Sequence, residues 1–308
     1  MNNKYLPLSD VQRSYFYGRS KGTFLGGIST HFYIECMTSL DKDKLEKALN
    51  SVIKEQPSLR SYITSDGMQC CMDEAPEYYR IKETDISRLS YEEQEKKLLE
   101  IRKRCSNRIF DLDSWPMFEF NICITGRDKN VMIIDSDMMI MDGLSTEILI
   151  ESLYKYYEKD EPVREISIEA FEDHIALKEQ KKAKNYDNDK AFWKEIIEEL
   201  PSGPHFERTG GNEECTFDTR EISVPADKWG AKSRELKSER ILPSVYLTAA
   251  YAKLLSRWCG QSRITLNMTM SNRKGNAKAL LNAIGDFTEV MLCLLYTSDA
   301  ADDRISVD

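Results

Sequence analysis

The chain has 308 residues, 41% of them hydrophobic and 31% charged, enough to bury one large or two medium cores. Its formal net charge of -9 provides no basic surface for phosphate backbones, which argues against a nucleic-acid partner. No apolar run approaches the roughly 20 residues of a membrane span, and no signal-peptide pattern follows Met1. We therefore predict a cytoplasmic protein without membrane contact.

Cysteine and histidine offer little material for a metal site. The eight cysteines are scattered with no CxxC pair, so we predict free thiols. His31, His174 and His205 show neither metal-ligand spacing nor the pattern of a Ser-His-Asp triad. We predict no metal and a chemistry that histidine does not lead.

Helical and strand-like patterns alternate in the first half of the chain. Ser90 and Glu93 stand in capping-box register at the start of one helix, where their side chains can satisfy free backbone N–H groups. Apolar periodicity places the other elements. The predicted elements are helices at 45–53 and 91–105, strands at 118–124 and 131–134, a loop at 137–143 and a helix from about residue 145.

The second half begins after a change in composition. Residues 166–185 are rich in charge and poor in apolar side chains, so we predict a connecting segment with one exposed helix. It separates a first lobe at 1–165 from a second, partial lobe at 186–292. The elements predicted there are a helix at 192–200, a glycine-rich loop at 203–211, a helix from Pro243 to Gly260 and a strand at 264–268. Both halves mix helices and strands, which indicates a two-lobed α/β protein.

Several different short motifs follow one another along the chain. They are Leu6-Pro7-Leu8-Ser9 with Tyr15, Gly18 and Arg19; Trp115-Pro116; the segment from Asp137 to Ser145; Asn272-Arg273; and Gly285-Asp286-Phe287-Thr288. From about residue 5 to residue 292, this series resembles the heterocyclization domains of nonribosomal peptide synthetases. Those domains form a branch of the condensation-domain superfamily.

The segment from Asp137 to Ser145 discriminates between branches of that superfamily. Ordinary condensation domains carry two adjacent histidines before the aspartate that matches Asp142, and these two positions are Asp137 and Met138 here. In the heterocyclization form, four residues separate one aspartate from a second, and a serine follows the second aspartate by three positions. Asp137, Asp142 and Ser145 resemble this pattern, with Gly143 directly after the second aspartate. Without an imidazole, the general-base role often proposed for ordinary domains cannot be performed at this position.

The resemblance implies roles for the motif residues. Asp142 is expected to form a structural ion pair with Arg60, because a carboxylate beside a guanidinium stays ionised and is a weak base; the alternative is a general base near the thioester. Asp137 is expected to orient the loop, to line the acceptor-side tunnel or to transfer a proton. Ser145 is expected to cap the following helix rather than act as a nucleophile, since no motif histidine would activate it.

Two further motifs carry open alternatives. Tyr15, Gly18 and Arg19 are expected to help form the tunnel. The alternative is that Gly18 only ends a helix and that Arg19 lies on the surface. The 286–288 segment is expected to form a strand or bridge near the lobe interface, where Phe287 packs rather than contacts substrate.

By resemblance, the fold is the chloramphenicol acetyltransferase-like condensation-domain fold, in which two lobes enclose a tunnel. Such a domain joins an acyl or peptidyl thioester to the amine of a carrier-bound Cys, Ser or Thr, and then cyclodehydrates the product to a thiazoline or oxazoline. No metal or free cofactor is implied. Substrates arrive on the 4'-phosphopantetheine arms of upstream and downstream peptidyl carrier domains, and an adenylation domain is the adjacent partner. The alternatives are an ordinary amide-forming condensation domain and a non-catalytic module that recruits carrier proteins.

The C-terminal stretch from Cys293 reads differently, because Cys-Leu-Leu-Tyr-Thr-Ser-Asp-Ala-Ala-Asp resembles a translated sequencing adapter. We predict that 293–308 is an artefactual tail; the alternative is a natural acidic C-terminus. The family's proposed catalytic threonine and aspartate follow the Gly-Asp-Phe-Thr motif in segments this sequence lacks, so the catalytic residues are unknown. We therefore predict an incomplete second lobe, an inactive fragment, and exposed apolar surface and strand edges that favour aggregation.

Overall fold

The computed structural model describes residues 3–20, 27–126, 129–159, 161–162, 165–206, 222–273 and 280–296. The chain divides into two compact units, Met1–Ala183 with Ser271–Glu289 and Lys184–Met270 with Val290–Asp308. This division differs from the predicted single second lobe at 186–292. Residues 271–289 belong to the first unit because Arg273, Gly285 and Phe287 hydrogen-bond to its motif residues.

The first unit contains two sheets. A three-stranded sheet has the order β1-β4-β3, and a four-stranded sheet has the order β2-β7-β6-β5, in which only the β5–β6 pair is parallel. Its elements are β1 Lys4–Pro7, α1 Asp10–Gly18, β2 His31–Thr38, α2 Lys42–Glu55, a 3-10 turn Pro57–Arg60, β3 Ser61–Ile63, β4 Met68–Cys71, β5 Lys82–Asp85, α3 Tyr91–Ser106, β6 Phe118–Ile124, β7 Asn130–Asp137, α4 Gly143–Tyr154, a π-helical turn Lys155–Lys159 and the start of α5 Ile168–Ile196.

The second unit contains helices beside a two-stranded sheet, β8-β9. Its elements are the end of α5, α6 Ala226–Ser238, α7 Pro243–Cys259, β8 Arg263–Ser271 and β9 Thr288–Tyr296. Ile264 is fully buried, and it clusters with Leu255 of α7 and with Cys293 and Leu295 of β9. The sheet and α7 therefore share one small core.

Strand β7 is buried on both faces, which fixes the loop that follows it. Met132 and Ile134 belong to the large cluster that includes α2 and α4. Val131 and Ile133 point the other way and cluster with α3. A strand buried on both sides has little freedom to shift its register. The motif segment that begins at Asp137 is therefore held at the end of a rigid central strand.

Local sequence signals explain several helix ends and confirm the corresponding predictions. The predicted Ser90 and Glu93 capping box opens α3, with Glu93 accepting from the Ser90 N–H at 2.9 Å. Pro243 starts α7, and Gly260 ends it in the left-handed region at φ 64°. Glycine adopts this conformation at low cost.

Helix α5 corrects two predictions. The exposed helix predicted within the connecting segment at 166–185 and the helix predicted at 192–200 are parts of one continuous helix, Ile168–Ile196. Only its first turns enter a core, through Ile168 and Phe171. The remainder is exposed and rich in Lys, Glu and Ala, which favour a helix without an apolar period. A search for apolar periodicity therefore gives no sign that the two predicted helices are continuous.

Strand β9 runs past the predicted start of an artefactual tail at residue 293. Cys293 and Leu295 lie within the strand, and both are buried. The first four residues of that predicted tail thus belong to the β8-β9 sheet. Residues 297–308 lie outside the described residues.

Three further features concern membranes, metals and thiols. Within the described ranges, no helix is long and apolar enough to cross a membrane. The same residues contain no group of three or more His, Cys, Asp or Glu side chains that could hold a metal ion. The seven cysteines in the described part of the chain are free thiols, and Cys215 lies outside it.

Candidate functional site

Asp137, the last residue of β7, is fully buried in an ion pair. Arg19 donates to its two carboxylate oxygens through Nη1 and Nη2, each at 3.1 Å. The Ser29 hydroxyl donates at 2.8 Å, and the Met139 backbone N–H donates at 3.0 Å. Charge and hydrogen bonds therefore fix the orientation of this carboxylate.

Arg19 reaches Asp137 from the C-terminal end of α1. It is the C-cap of that helix, and its backbone N–H points at the Tyr15 and Tyr17 carbonyls. Because its side chain is only 11% exposed, the surface-arginine alternative is wrong. Gly18, the last helical residue, is exposed and has open space around its Cα, so packing does not require a glycine there.

Asp142 forms the second buried ion pair of the motif. It caps α4 by accepting from the Ser145 backbone N–H at 2.8 Å. Arg273 donates to Asp142 through Nη1 at 3.0 Å and Nη2 at 3.1 Å. Burial acts to raise the pKa of Asp142, but the hydrogen bonds from Arg273 and Ser145 outweigh it and hold the pKa below its usual value. Asp142 is therefore a weak base.

The predicted partner of Asp142 was wrong. Arg60 is buried, but its Nε donates to the Met72 carbonyl at 2.8 Å and its Nη1 to the Lys54 carbonyl at 2.7 Å. It thus satisfies a carbonyl in the last turn of α2, which no intrahelical N–H can reach. The guanidinium beside Asp142 belongs to Arg273, which the motif comparison had singled out without assigning a role.

Ser145 is the third residue of α4 rather than its cap, so that expectation is corrected as well. Its hydroxyl lies 2.7 Å from Asp142 Oδ1 and 2.8 Å from the Gly285 carbonyl, both acceptors. It also receives the Gly285 N–H at 3.1 Å and Arg273 Nη2 at 2.9 Å. Gly143 is the first residue of the helix, exposed and without close neighbours. Ser145 therefore connects the helix start to a distant segment.

That distant segment, 285–287, is held to Asp142 by backbone hydrogen bonds. The Asp142 N–H donates to the Gly285 carbonyl at 3.1 Å, and the Phe287 N–H donates to Asp142 Oδ2 at 3.3 Å. A Cβ on Gly285 would lie 2.9 Å from the Phe287 ring and 3.0 Å from Phe171, so this position requires glycine. The Phe287 ring stacks on Phe171 at 5.6 Å and lies 4.3 Å from the Arg273 guanidinium carbon.

Asp286, between those two anchored residues, faces a cavity of ≈ 300 Å³. Its Oδ1 accepts from the Thr288 N–H at 3.1 Å, while no described residue hydrogen-bonds to Oδ2. Burial raises the pKa of Asp286 to about 6. Burial, followed by the nearby charges of Asp286, Asp137 and Asp142, raises the pKa of Tyr15 to about 12. At neutral pH, the Tyr15 phenol therefore keeps its proton.

The sequence singled out most of these residues but missed two contacts. Gln12 donates through Nε2 to the Met139 carbonyl at 2.7 Å and to Gln69 at 3.2 Å, which ties α1 to the motif loop. Ser29 bonds to Asp137. Gln12 lies between Ser9 and Tyr15 of the opening motif, whereas Ser29 has no sequence signal of its own. Together these contacts form a rigid scaffold rather than a triad, because Ser145 has no imidazole partner.

Comparison with known proteins identifies the family. The Condensation domain family model matches residues 2–304. Bacitracin synthase 1 of Bacillus licheniformis is 26% identical over an alignment of 310 positions, which covers 96% of this chain and 6% of that protein. Phenyloxazoline synthase MbtB of Mycobacterium bovis is 26% identical over an alignment of 291 positions, which covers 93% of this chain and 20% of that protein.

Solved structures agree with that match. The EpoB cyclization-docking bidomain from Sorangium cellulosum superimposes with a TM-score of 0.83 at 26% identity, covering 96% of this chain and 60% of that one. The first condensation domain of the CDA synthetase, at 17% identity and a TM-score of 0.76, covers 96% of this chain and 70% of that one, and it supports the fold alone. The chain thus spans less than two thirds of the EpoB chain and a small part of the synthetases. It belongs to the condensation-domain family and has that family's α/β fold.

Proposed function

We propose that this chain is part of a heterocyclization domain of a nonribosomal peptide synthetase. It would join a carrier-bound acyl or peptidyl thioester to carrier-bound Cys, Ser or Thr and cyclodehydrate the product to a thiazoline or oxazoline. One observation carries the proposal: both acidic motif positions are locked in buried ion pairs, Arg19–Asp137 and Arg273–Asp142, and no histidine is present between them. The similarity to MbtB and to the EpoB cyclization domain supports this reading.

The first step requires positioning more than a strong base. The acceptor amine attacks the thioester carbonyl, a C–N bond forms, the C–S bond breaks, and the amine proton leaves with the thiolate. An α-amine with a pKa of about 8 is partly neutral at cellular pH, so it attacks once it is held in place. The two ion pairs fix the motif loop and the 285–287 segment around which this chemistry would occur.

The second step closes the ring. The acceptor thiol or hydroxyl attacks the new amide carbonyl, and the former carbonyl oxygen leaves as water. This step needs proton transfers, for which Asp142 is poorly suited because its ion pair keeps it a weak base. We assign no residue of this chain to these transfers.

The partners and carriers follow from this chemistry as proposals. Upstream and downstream peptidyl carrier domains would deliver the two substrates on 4'-phosphopantetheine, and an adenylation domain would load the acceptor. We propose no directly bound cofactor or metal, and a cytoplasmic location.

The test is a mass spectrum of the carrier-bound product. The protein from its full reading frame is incubated with a donor acyl-carrier thioester and a seryl- or cysteinyl-carrier acceptor. We expect a product one water lighter than the simple amide. The amide alone would favour an ordinary condensation domain, whereas carrier binding without any product would favour a recruitment module. That the 308-residue chain alone is inactive remains a prediction for the same assay.

A further inference from the structure

We propose that His31 is a positioning residue for the Asp137 carboxylate, and that it completes this role only when both of its ring nitrogens carry a proton. His31 is the first residue of β2, and the register of the sheet places it directly across from Asp137. The role of the motif loop rests on the proposed function, whereas the contacts of His31 do not.

Both ring nitrogens of His31 face backbone carbonyl oxygens. Nδ1 lies 3.2 Å from the Ser29 carbonyl oxygen, and Nε2 contacts the Cys105 carbonyl oxygen. A carbonyl oxygen only accepts hydrogen bonds, and a neutral imidazole has a single N–H. The neutral ring therefore turns a lone pair towards one of the two oxygens, whereas the doubly protonated ring donates to both.

Ser29 connects His31 to the motif. Its hydroxyl donates to Asp137 Oδ2 at 2.8 Å, while its carbonyl faces His31 Nδ1. The next residue, Thr30, accepts from the Met138 N–H at 2.9 Å. Because Ser29 is only 4% exposed, these contacts rather than solvent fix the direction of its hydroxyl. A donor on His31 Nδ1 thus holds the residue that in turn holds Asp137.

The other contact of His31, at the end of α3, suits a cation. Cys105 lies in the last turn of that helix, where the free carbonyls form the negative end of the helix dipole. Its oxygen also accepts from the Arg108 N–H at 3.3 Å, and a carbonyl oxygen can accept two donors. Protonation of His31 therefore strengthens the contact at α3 together with the contact at Ser29.

Two aspartates of β7 project from the same face of the sheet as His31. Directly opposed residues of paired strands share a face, and so do residues two apart along a strand, which places Asp135 and Asp137 on this side. Burial raises the pKa of Asp135 to about 6, although Arg108 and His31 act to lower it. Asp135 is therefore largely ionised near neutral pH and favours a positive charge on His31.

Other ionisable groups also lie on this side of the sheet. They are Tyr33 and Glu35 of β2, Glu119 of β6, Arg102, Arg104 and Cys105 of α3, Arg108 after that helix, and Arg19 of α1. Arg108 is shared between Glu119 at 3.1 Å and Asp135 at 3.5 Å. A protonated His31 adds a second positive charge on the face where Asp135 has only part of one arginine.

The test follows exchange of the backbone amide hydrogens in the motif loop, which requires no turnover. The N–H groups of residues 137–140 are all hydrogen-bonded, so exchange in a peptide spanning 136–141 measures opening of this loop. The 308-residue wild type, His31→Gln and the control His205→Gln, at an exposed site in the second unit, are compared by mass spectrometry at pH 6 and pH 9. Ratios between variant and wild type cancel the pH dependence of exchange itself.

We expect the loop to exchange about tenfold faster in His31→Gln than in wild type at pH 6, because glutamine is uncharged and its one nitrogen reaches one carbonyl. At pH 9 this ratio should fall below about twofold, because histidine has then lost its second ring proton. His205→Gln should match the wild type at both pH values. A peptide from α2, which measures opening of the whole unit, should exchange alike in all three proteins.

A ratio that is the same at both pH values, or equal exchange in His31→Gln and wild type at pH 6, would overturn the inference. Faster exchange of the α2 peptide in His31→Gln would do so too, since His31 would then act on overall stability. If His31→Gln does not fold, the wild type decides: protection of the loop relative to α2 should fall between pH 6 and pH 9, and an unchanged value rejects the role.

The outcome for His31 can be separated from the outcome for the proposed function. Any of the contrary exchange results leaves heterocyclization standing, because the mass assay tests it independently. The expected exchange pattern together with an amide-only product would retain the role of His31 and reject heterocyclization.

Discussion

Arg273 contacts both carboxylate oxygens of Asp142, at 3.0 and 3.1 Å, although 130 residues separate the two along the chain. Both side chains are about 5% exposed or less. The pair joins the start of α4 to the 285–287 segment and places Asp286 beside its cavity. This buried contact therefore links the motif to a segment far away in sequence.

Removing Arg273 should destabilise the first unit. Arg273→Ala leaves Asp142 buried without its counter-charge, and we expect the free energy of unfolding to fall by about 3–5 kcal/mol. Arg273→Lys keeps the charge but loses the bidentate contact, at a cost of about 1–2 kcal/mol. Urea denaturation measures the free energy of unfolding of both variants. The exposed Arg88→Ala variant is the control, and it should unfold at the same urea concentration as the wild type. Equal stability of Arg273→Ala and wild type would mean that the pair contributes nothing.

Asp137 should behave as a structural carboxylate. Asp137→Asn and Arg19→Ala each break the same buried pair, so we expect losses of about 3 kcal/mol that are not additive in the double variant. The rate of product formation should fall in both variants. The pH at which this rate declines on the acid side of its pH profile should be the same as in the wild type. If Asp137→Asn folds normally and that limb disappears, Asp137 is a base.

Asp286 should make stability depend on pH. Its pKa is about 6 in the folded protein and about 4 in an unfolded chain. Above pH 6 the folded state holds a disfavoured charge; below pH 4 both states are protonated and this cost disappears. Asp286→Asn should therefore be more stable than wild type by about 2–3 kcal/mol at pH 7.5. The difference, followed by urea denaturation, should shrink towards zero near pH 4. A difference that grows as the pH falls would contradict the assignment.

Helix α7 should cause self-association. Leu247, Tyr251, Leu254 and Trp258 are 44–70% exposed and lie on one face of the helix, and such apolar faces tend to associate. We expect Leu254→Lys with Trp258→Lys to reduce the oligomer fraction in sedimentation velocity at least threefold. Ile109→Lys, at an equally exposed site in the first unit, should have no effect. A monomeric wild type would contradict this prediction.

The sequence predicted the elements whose signals are local. The capping box at Ser90 and the proline and glycine limits of α7 lie within a few residues of the structure they determine. The continuity of helix α5 between its two predicted parts lacked such a signal, because helix-forming polar residues show no apolar period where no face of the helix enters a core.

In the candidate site, too, the sequence did not predict contacts between residues that are far apart along the chain. The motif residues were found from their order along the chain, but the partner of Asp142 was assigned to Arg60 when it is Arg273. Both arginines are buried, and only the three-dimensional fold decides which of them reaches the N-terminus of α4. The orientation of Asp286 could not be predicted from the sequence either. It depends on hydrogen bonds that link Gly285 and Phe287 to the distant start of α4.

The most direct test of the central claim follows the oxygen that leaves as water. A donor thioester with a heavy-oxygen label in its carbonyl is supplied to the protein from its full reading frame, together with a seryl-carrier acceptor. Heterocyclization predicts a product one water lighter that has lost the label, since the ring closes on that carbonyl. A product that retains the label, whether as the simple amide or after loss of the serine hydroxyl, would contradict it.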